Sequence, residues 1–250
     1  MIKSPLRISI VSYYNTIPFV YGLEQFMPKD SIILEKVPPA ICAEKLINKD
    51  VEISLIPVGA LFSLPEYYII GNHCIGANER VATVELFSEC PIHEIEQIYL
   101  DHDSRTSNLL VQVLAKHKWK ISPEWLQPER GYEDKIGGKT AGVIIGNRAF
   151  DYSNKITYSI DLAEEWQTMT GLPFVFACWA SLNPIDPKFI AIFENALSQG
   201  FANLPDAINA FGTTFSIDIA SYLTKNISFE FDEPKRKAMA LFEKLVKGLY

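Results

Sequence analysis

The chain has 250 residues, 48% hydrophobic and 21% charged, enough apolar material for a sizeable core in one large domain or two small lobes. Its net charge of −7, with no basic stripe, argues against a nucleic-acid or anionic-membrane surface. No apolar run reaches the roughly 18 residues of a membrane span. The opening "MIKSPLRISIVSYYN" lacks a secretory pattern, so the chain is expected in the cytoplasm. Cys42, Cys74, Cys90 and Cys178 are widely spaced with no CxxC, which reads as buried free thiols of a reducing compartment.

"LRISIVSY" is a β-rich run. Asn15 or Thr16 can cap the following helix, with Pro18 in its first turn. "SIILEKVP" is a second strand, "PPAICAEKLINKD" a short helix, and "VEISLIPVGAL" a third strand stopped by Pro57 and Gly59. Strands alternating with short helices predict βαβ units and a largely parallel sheet. Residues 68–88 read as two strands joined through "GANER", with Gly76 and Asn78 in the join. "EIEQIYLD" is a strand. "SRTSNLLVQVLAKHK" is a helix with Leu109, Leu110, Val113 and Leu114 in one stripe. "TAGVIIGNRAF" reads as a buried strand. In "DLAEEWQTMTGLP", Asp161 and Glu164 form a capping box, Gly171 suits the C′ position and Pro173 stops the helix. "PFVFACWA" is another buried strand, and the remainder reads as helical. Asp186 and Pro187 open one helix with Phe189, Ile192, Phe193, Ala196 and Leu197 inward. Asp232 and Pro234 open the last, with Met239, Phe242, Leu245 and Val246 inward; its "EPKRK" start is a solvated face rather than a membrane anchor.

The βα pattern starts, breaks near residue 88, restarts and ends in a helical tail. This predicts an α/β fold of two lobes, with residues 1–87 and 175–250 in one and 88–174 in the other. Ligands of such folds sit in the crevice at the carboxyl ends of the strands.

Ser104, Arg105, Thr106 and Ser107 lie between a strand end and a helix start. Asp103 or Ser104 as a plain N-cap is one reading. An anion site, for carboxylate or phosphate, is the other: a helix N-terminus carries about half a positive charge, and an acidic protein binding an anion needs such a local device. Ser12 and Asn15 occupy a second strand end, where a capping Asn beside packed tyrosines competes with a ligand role. "IGGKTAG" is no P-loop, because the first Gly of that motif would fall on Glu133 and a strand would precede it. His73, His93, His102 and His117 form no HExxH or metal spacing with the cysteines, and GxSxG is absent. Asp101 and Asp103, flanking His102, read as turn residues.

"VSYYNTIPFVYGL", "VEISLIPVGAL", "TVELFS", "DSRTSNLL", "IIGNRAF" and "DLAEEWQTMTGLPFVFACWA" occur in this order over residues 7–181. Together they resemble the chorismate dehydratases of the futalosine route to menaquinone. The resemblance implies a fold like the type II periplasmic binding proteins, adopted by a cytosolic lyase. It implies conversion of chorismate to 3-[(1-carboxyvinyl)oxy]benzoate and water, with no cofactor and no metal. The expected partner is a small dianion, with neither nucleic acid nor membrane. Carried onto this chain, the substrate-binding set is Ser12, Ile56, Pro57, Val58, Thr83, Ser104, Arg105, Thr106, Ser107 and Asn147. Asn15 and Ser88 would be catalytic, orienting the enolpyruvyl carboxylate that takes the C3 proton and the departing C4 hydroxyl. Asn147 departs from the family, which usually has Asp after Ile-Gly. The sister naphthoate synthase carries a histidine-type base, and Asn147 supplies no ionisable group of either kind. That synthase remains one alternative. A cytosolic aromatic-acid binding or sensory protein of the same fold is the other.

Overall fold

Apolar and polar side chains alternate through "LRIS" and burial is unbroken from Ile8 onward, so this strand begins at the surface and ends in a core. It is β1 (Leu6–Val11) of a computed structural model that describes residues 5–153, 155–212, 215 and 217–249. In chain order follow α1 (Ile17–Phe26), β2 (Ile32–Val37), α2 (Pro39–Ile47), β3 (Ile53–Pro57), α3 (Val58–Leu61), β4 (Tyr68–Ala77), β5 (Val84–Ser88), β6 (Gln97–Tyr99), α4 (Thr106–Leu114), β7 (Glu124–Leu126), β8 (Thr140–Ile145), α5 (Asn147–Tyr152), β9 (Tyr158–Asp161), α6 (Leu162–Thr170), β10 (Phe174–Ser181), α7 (Pro187–Ala202), α8 (Leu204–Phe211), α9 (Ile219–Ser221), β11 (Ser228–Glu230) and α10 (Glu233–Lys247).

The chain divides into two compact units, Met1–Ile75 with Phe176–Asp232, and Gly76–Val175 with Glu233–Tyr250. Residues 76–87, 175 and 233–250 therefore fall in the second unit, whereas the sequence pattern places them in the first. The first crossing lies inside β4, a continuous strand, so no loop signal marks it.

The first unit holds a six-stranded sheet in the order β11-β4-β10-β3-β1-β2. β1 is parallel to β2 and β3, whereas β10 runs antiparallel to β3, with Ala177 opposite Pro57 and Ala180 opposite Ser54. β3 and β10 are buried at every position, as central strands covered on both faces must be. Helices α1 and α7 approach through glycines. A Cβ on Gly22 would lie 2.2 Å from the Ala196 carbonyl oxygen, and one on Gly200 1.9 Å from that of Pro18. Trp179 packs edge-on against Phe19 and Phe193, with ring centroids 5.8 and 5.0 Å away.

The second unit holds a five-stranded sheet in the order β7-β6-β8-β5-β9. β6 is parallel to β7 and β8, and β5 is antiparallel to both β8 and β9. Phe87, Tyr132, Ile144 and Ala149 form a core cluster on this sheet. Trp166 of α6 and Phe242 of α10 close on Phe174, with centroids 5.3 and 5.0 Å from its ring.

Several expectations are corrected. Both sheets are mixed, not largely parallel. The two strands of residues 68–88 enter different sheets. Gly76 lies within β4, and a left-handed residue of the connection is Ala82 at φ 64°. The strand read through Phe150 ends at Ile145, because Gly146 takes φ 66° and starts α5. The short strands β7, β9 and β11 carry too little alternation to announce themselves. Ile192 is 40% exposed on α7, and Val111, not Leu109, is buried on α4. Leu245 is only half-buried. The capping of α6 matches expectation: Asp161 accepts from the amides of Ala163 and Glu164, and Gly171 closes the helix at φ 72°.

Candidate functional site

The predicted residues sort by unit. In the first, Ser12 follows β1 and its amide donates to the Val37 carbonyl of β2, at 3.1 Å. β1 and β3 are parallel, so Ser12 and the Ile56–Val58 stretch share the carboxyl edge of the sheet. Ile56, Pro57 and Val58 are all buried and form the apolar floor of that edge, whereas Ser12 is exposed. The Thr16 hydroxyl donates to the carbonyls of Val11 and Tyr13 and ties the turn together. Asn15 caps nothing. Its Oδ1 is enclosed, and no hydrogen bond to it is formed by any described residue. Such an acceptor costs about 1–3 kcal/mol unless something donates to it.

In the second unit, β6 and β8 are parallel and direct their carboxyl ends to one edge. Ser104–Ser107 follows β6, and Asn147 follows β8. Thr83 reaches the same edge from the other direction, because it precedes the antiparallel β5. Its carbonyl accepts from the Gly146 amide at 2.9 Å. Thr106 and Ser107 are buried, and Arg105 is half-buried. Ser104 Oγ accepts from the Ser107 amide at 3.0 Å, so Ser104 does cap α4.

Ser88 is the exception and is corrected here. It ends β5, and β5 opposes β8, so Ser88 lies opposite Tyr158 at the far edge of the sheet. Five extended residues put it about 16 Å from Thr83. Its hydroxyl is fully buried, donates to the Cys90 carbonyl at 2.8 Å and accepts from the Cys90 amide at 3.1 Å. It closes a turn and has no place at the edge where Thr83 and Ser104 sit.

Five other residues, Asp101, Tyr132, Glu133, Arg148 and Tyr152, organise the second unit's edge. Asp101 is 1% exposed. Its Oδ1 accepts from the Asp103 amide at 2.8 Å. Its Oδ2 lies 2.7 Å from Arg148 Nη2, 2.9 Å from the Tyr132 hydroxyl and 3.1 Å from the Ile145 amide. Arg148 Nη1 donates to Glu133, and the Tyr152 hydroxyl donates to the Glu133 carbonyl. Burial pushes the Asp101 carboxyl up, against the pull of Arg148, the Asp103 amide and Tyr132. Burial, then the Asp101 charge, holds the Tyr132 phenol far above its usual range, so Tyr132 acts as a donor. An Asp at a strand end followed by a polar turn was the only sequence signal for this network. Beside it, Glu85 and Asp161 face each other across β5 and β9, both buried. Arg80 Nη2 lies 2.8 Å from Glu85. Burial raises the Asp161 carboxyl to about 6, although four backbone amides donate to it.

Among the described residues, no group of three or more His, Cys, Asp or Glu is placed to hold a metal ion, and no helix is long and apolar enough to cross a membrane.

The chain is 22% identical, over 95% of its length and 94% of the relative's, to a chorismate dehydratase of Thermus thermophilus. A solved structure of protein AF1704 from Archaeoglobus fulgidus is similar at a TM-score of 0.77, with 15% identity and 98% of each chain covered. The CA3427 gene product of Candida albicans, described as showing the generic periplasmic binding protein fold, is similar at a TM-score of 0.69, with 14% identity, covering 98% of this chain and 90% of that one. The α/β fold of this chain is thus of the periplasmic-binding-protein type. A family model for menaquinone biosynthesis matches residues 6–247, and the chain belongs to that family.

Proposed function

We propose that this protein is a chorismate dehydratase, a carbon–oxygen lyase that converts chorismate to 3-[(1-carboxyvinyl)oxy]benzoate and water. Family membership and the named relative support the reading. The observation that carries it is Asn15: an enclosed amide oxygen without a donor, at the carboxyl end of β1, suits a substrate hydroxyl. The C4 hydroxyl of chorismate donates there and is held for departure. Among the described residues all four cysteines are free, in keeping with a cytoplasmic enzyme.

The chemistry asks little of the protein. The C3 hydrogen is vinylogous to the ring carboxylate, so hydrogen bonds to that carboxylate stabilise the charge that develops on deprotonation. Arg105 and the turn around it hold this carboxylate. The substrate's own enolpyruvyl carboxylate accepts the C3 proton, the C4–O bond breaks as that carboxyl group passes the proton to the departing hydroxyl, and water leaves behind an aromatic ring. Orientation supplies most of the acceleration. The periplasmic-binding-protein type of fold favours one other reading, a protein that binds an aromatic acid without reacting.

Incubation of the protein with chorismate, followed by ultraviolet absorbance, tests both. Dehydration removes the cyclohexadiene band and yields the benzoate, whereas binding alone leaves the diene intact. Intact diene after prolonged incubation overturns the proposal. Asn15→Ala is expected to lower kcat at least tenfold, and Arg105→Ala to raise KM. A near-native kcat in the first removes the role assigned to Asn15.

A further inference from the structure

Asp101 is a buried carboxylate that touches several segments of the second unit. Its backbone is clamped by Asn108 of α4, with the Asp101 amide donating to Asn108 Oδ1 and Asn108 Nδ2 donating to the Asp101 carbonyl, both at 2.8 Å. Its side chain holds the Asp103 amide in its own turn and the Ile145 amide at the end of β8. Arg148, in the first turn of α5, reaches back to Asp101 with one arm and to Glu133 with the other. The turn that carries Ser104–Ser107 and the turn that carries Asn147 thus meet at a single carboxylate. Ion pairs taken out of water return little net stability, and an apolar cluster of equal volume would hold these loops as firmly. What the charged pair adds is direction: a guanidinium fork and a carboxylate meet in one geometry.

We propose that Asp101 and Arg148 are a positioning pair that fixes the Ser104–Ser107 turn relative to Asn147. The assignment rests on the reading of Ser104–Ser107 and Asn147 as substrate-binding residues. Neither partner needs to touch the substrate. Asp101 is enclosed, and Arg148 is engaged by Asp101 and Glu133, with Asp103 Oδ2 a further 3.7 Å away.

The test uses the full chain with Asp101→Asn, which keeps the shape and removes the charge, and Arg148→Lys, which keeps the charge and removes the fork. Arg148 is partly exposed at its side chain, 34%, so its variant carries the test if the Asp101 variant fails to fold. Amide hydrogen exchange over residues 103–107 and 146–148 reads positioning without reference to substrate. Both segments are expected to exchange at least tenfold faster in each folded variant. In the chorismate assay KM is expected to rise at least tenfold, with kcat changing less. Faster exchange in one segment only, or in neither, overturns the pairing. Faster exchange with an unchanged KM overturns its positioning role. A wild-type chain inert toward chorismate would overturn the proposed function instead, and the exchange result would still decide whether the pair couples the two turns.

Discussion

Asp161→Ala offers the sharpest test of how the edge of the second unit is held. One carboxylate serves four amides. Oδ1 caps α6 through Ala163 at 2.9 Å and Glu164 at 3.1 Å, while Oδ2 takes Val81 at 2.9 Å and Ala82 at 2.6 Å. Ala82 stands at φ 64°, a conformation a non-glycine residue holds only when its surroundings compel it. Alanine removes the cap, at about 1 kcal/mol. It also leaves the two amides of the 81–82 turn without acceptors, at about 1–3 kcal/mol each. The total comes to roughly 3–7 kcal/mol against a whole-protein stability on the order of 5–15 kcal/mol. At about 2–4 °C per kcal/mol for a chain of this size, the melting temperature should fall by on the order of 10 °C. Scanning calorimetry and urea unfolding measure both quantities. Compared at pH 4, where the wild-type carboxyl stays protonated, Asp161→Asn, with one acceptor oxygen left, should lose about half as much as alanine. A loss below about 1 kcal/mol for alanine would mean that the amides find other acceptors, and the account of this turn would fail.

Other consequences follow from single contacts. Gly200→Ala places a methyl group 1.9 Å from the Pro18 carbonyl oxygen and should destabilise by about 3 kcal/mol or more, whereas Gly131→Ala, with nothing within 4 Å, meets only the strain of φ 77°, about 1 kcal/mol; equal losses in chemical denaturation would contradict the close α1–α7 approach. Ser88→Ala should keep near-native turnover on chorismate while losing about 1 kcal/mol of stability, and a tenfold fall in kcat at unchanged melting temperature would return Ser88 to the catalytic set. The Asp161 carboxyl is raised to about 6 from 3.8 in the folded protein, so the folded state holds a proton that the unfolded chain releases between these values. Its stabilising contribution is complete below pH 3.8, is lost as pH rises through about 6, and amounts to roughly 3 kcal/mol. The stability difference between wild type and Asp161→Asn should therefore shift toward the variant between pH 4 and pH 7, and a pH-independent difference would refute the shift.

Much of the fold was written in local chemistry. Capping by Asp161 and Asp186, the left-handed Gly171 and the unbroken apolar run of β10 depend on neighbours within a few residues, so sequence spacing reports them directly. Strand direction does not have that property. β8 is flanked by a parallel β6 on one side and an antiparallel β5 on the other, yet all three are short and apolar or nearly so. The boundary between the units was hidden for the same reason. It falls within β4, which runs on as one strand through the crossing, and no Pro or charged residue interrupts it.

The error at Ser88 shows how direction decides chemistry. Thr83 and Ser88 bracket the same strand, and both are small hydroxyl residues of the kind a carboxylate ligand uses. In a parallel strand the later of the two would stand at the edge that carries Ser104 and Asn147. β5 runs the other way, so the earlier one does, and Ser88 turns inward to close on Cys90. Asp101 was missed by the converse route. As a strand-end Asp before a polar turn it has the local signature of a turn former, and that role is real, since Asp103 donates to it. Its other partners come from residues 31 to 47 positions away, and only the pairing of β6 with β8 brings Tyr132, Ile145 and Arg148 to its second oxygen. A residue whose function lies in long-range partners is legible only once the strand order is known. In this protein the residues that can touch a ligand were therefore easier to read than the ones that hold them in place.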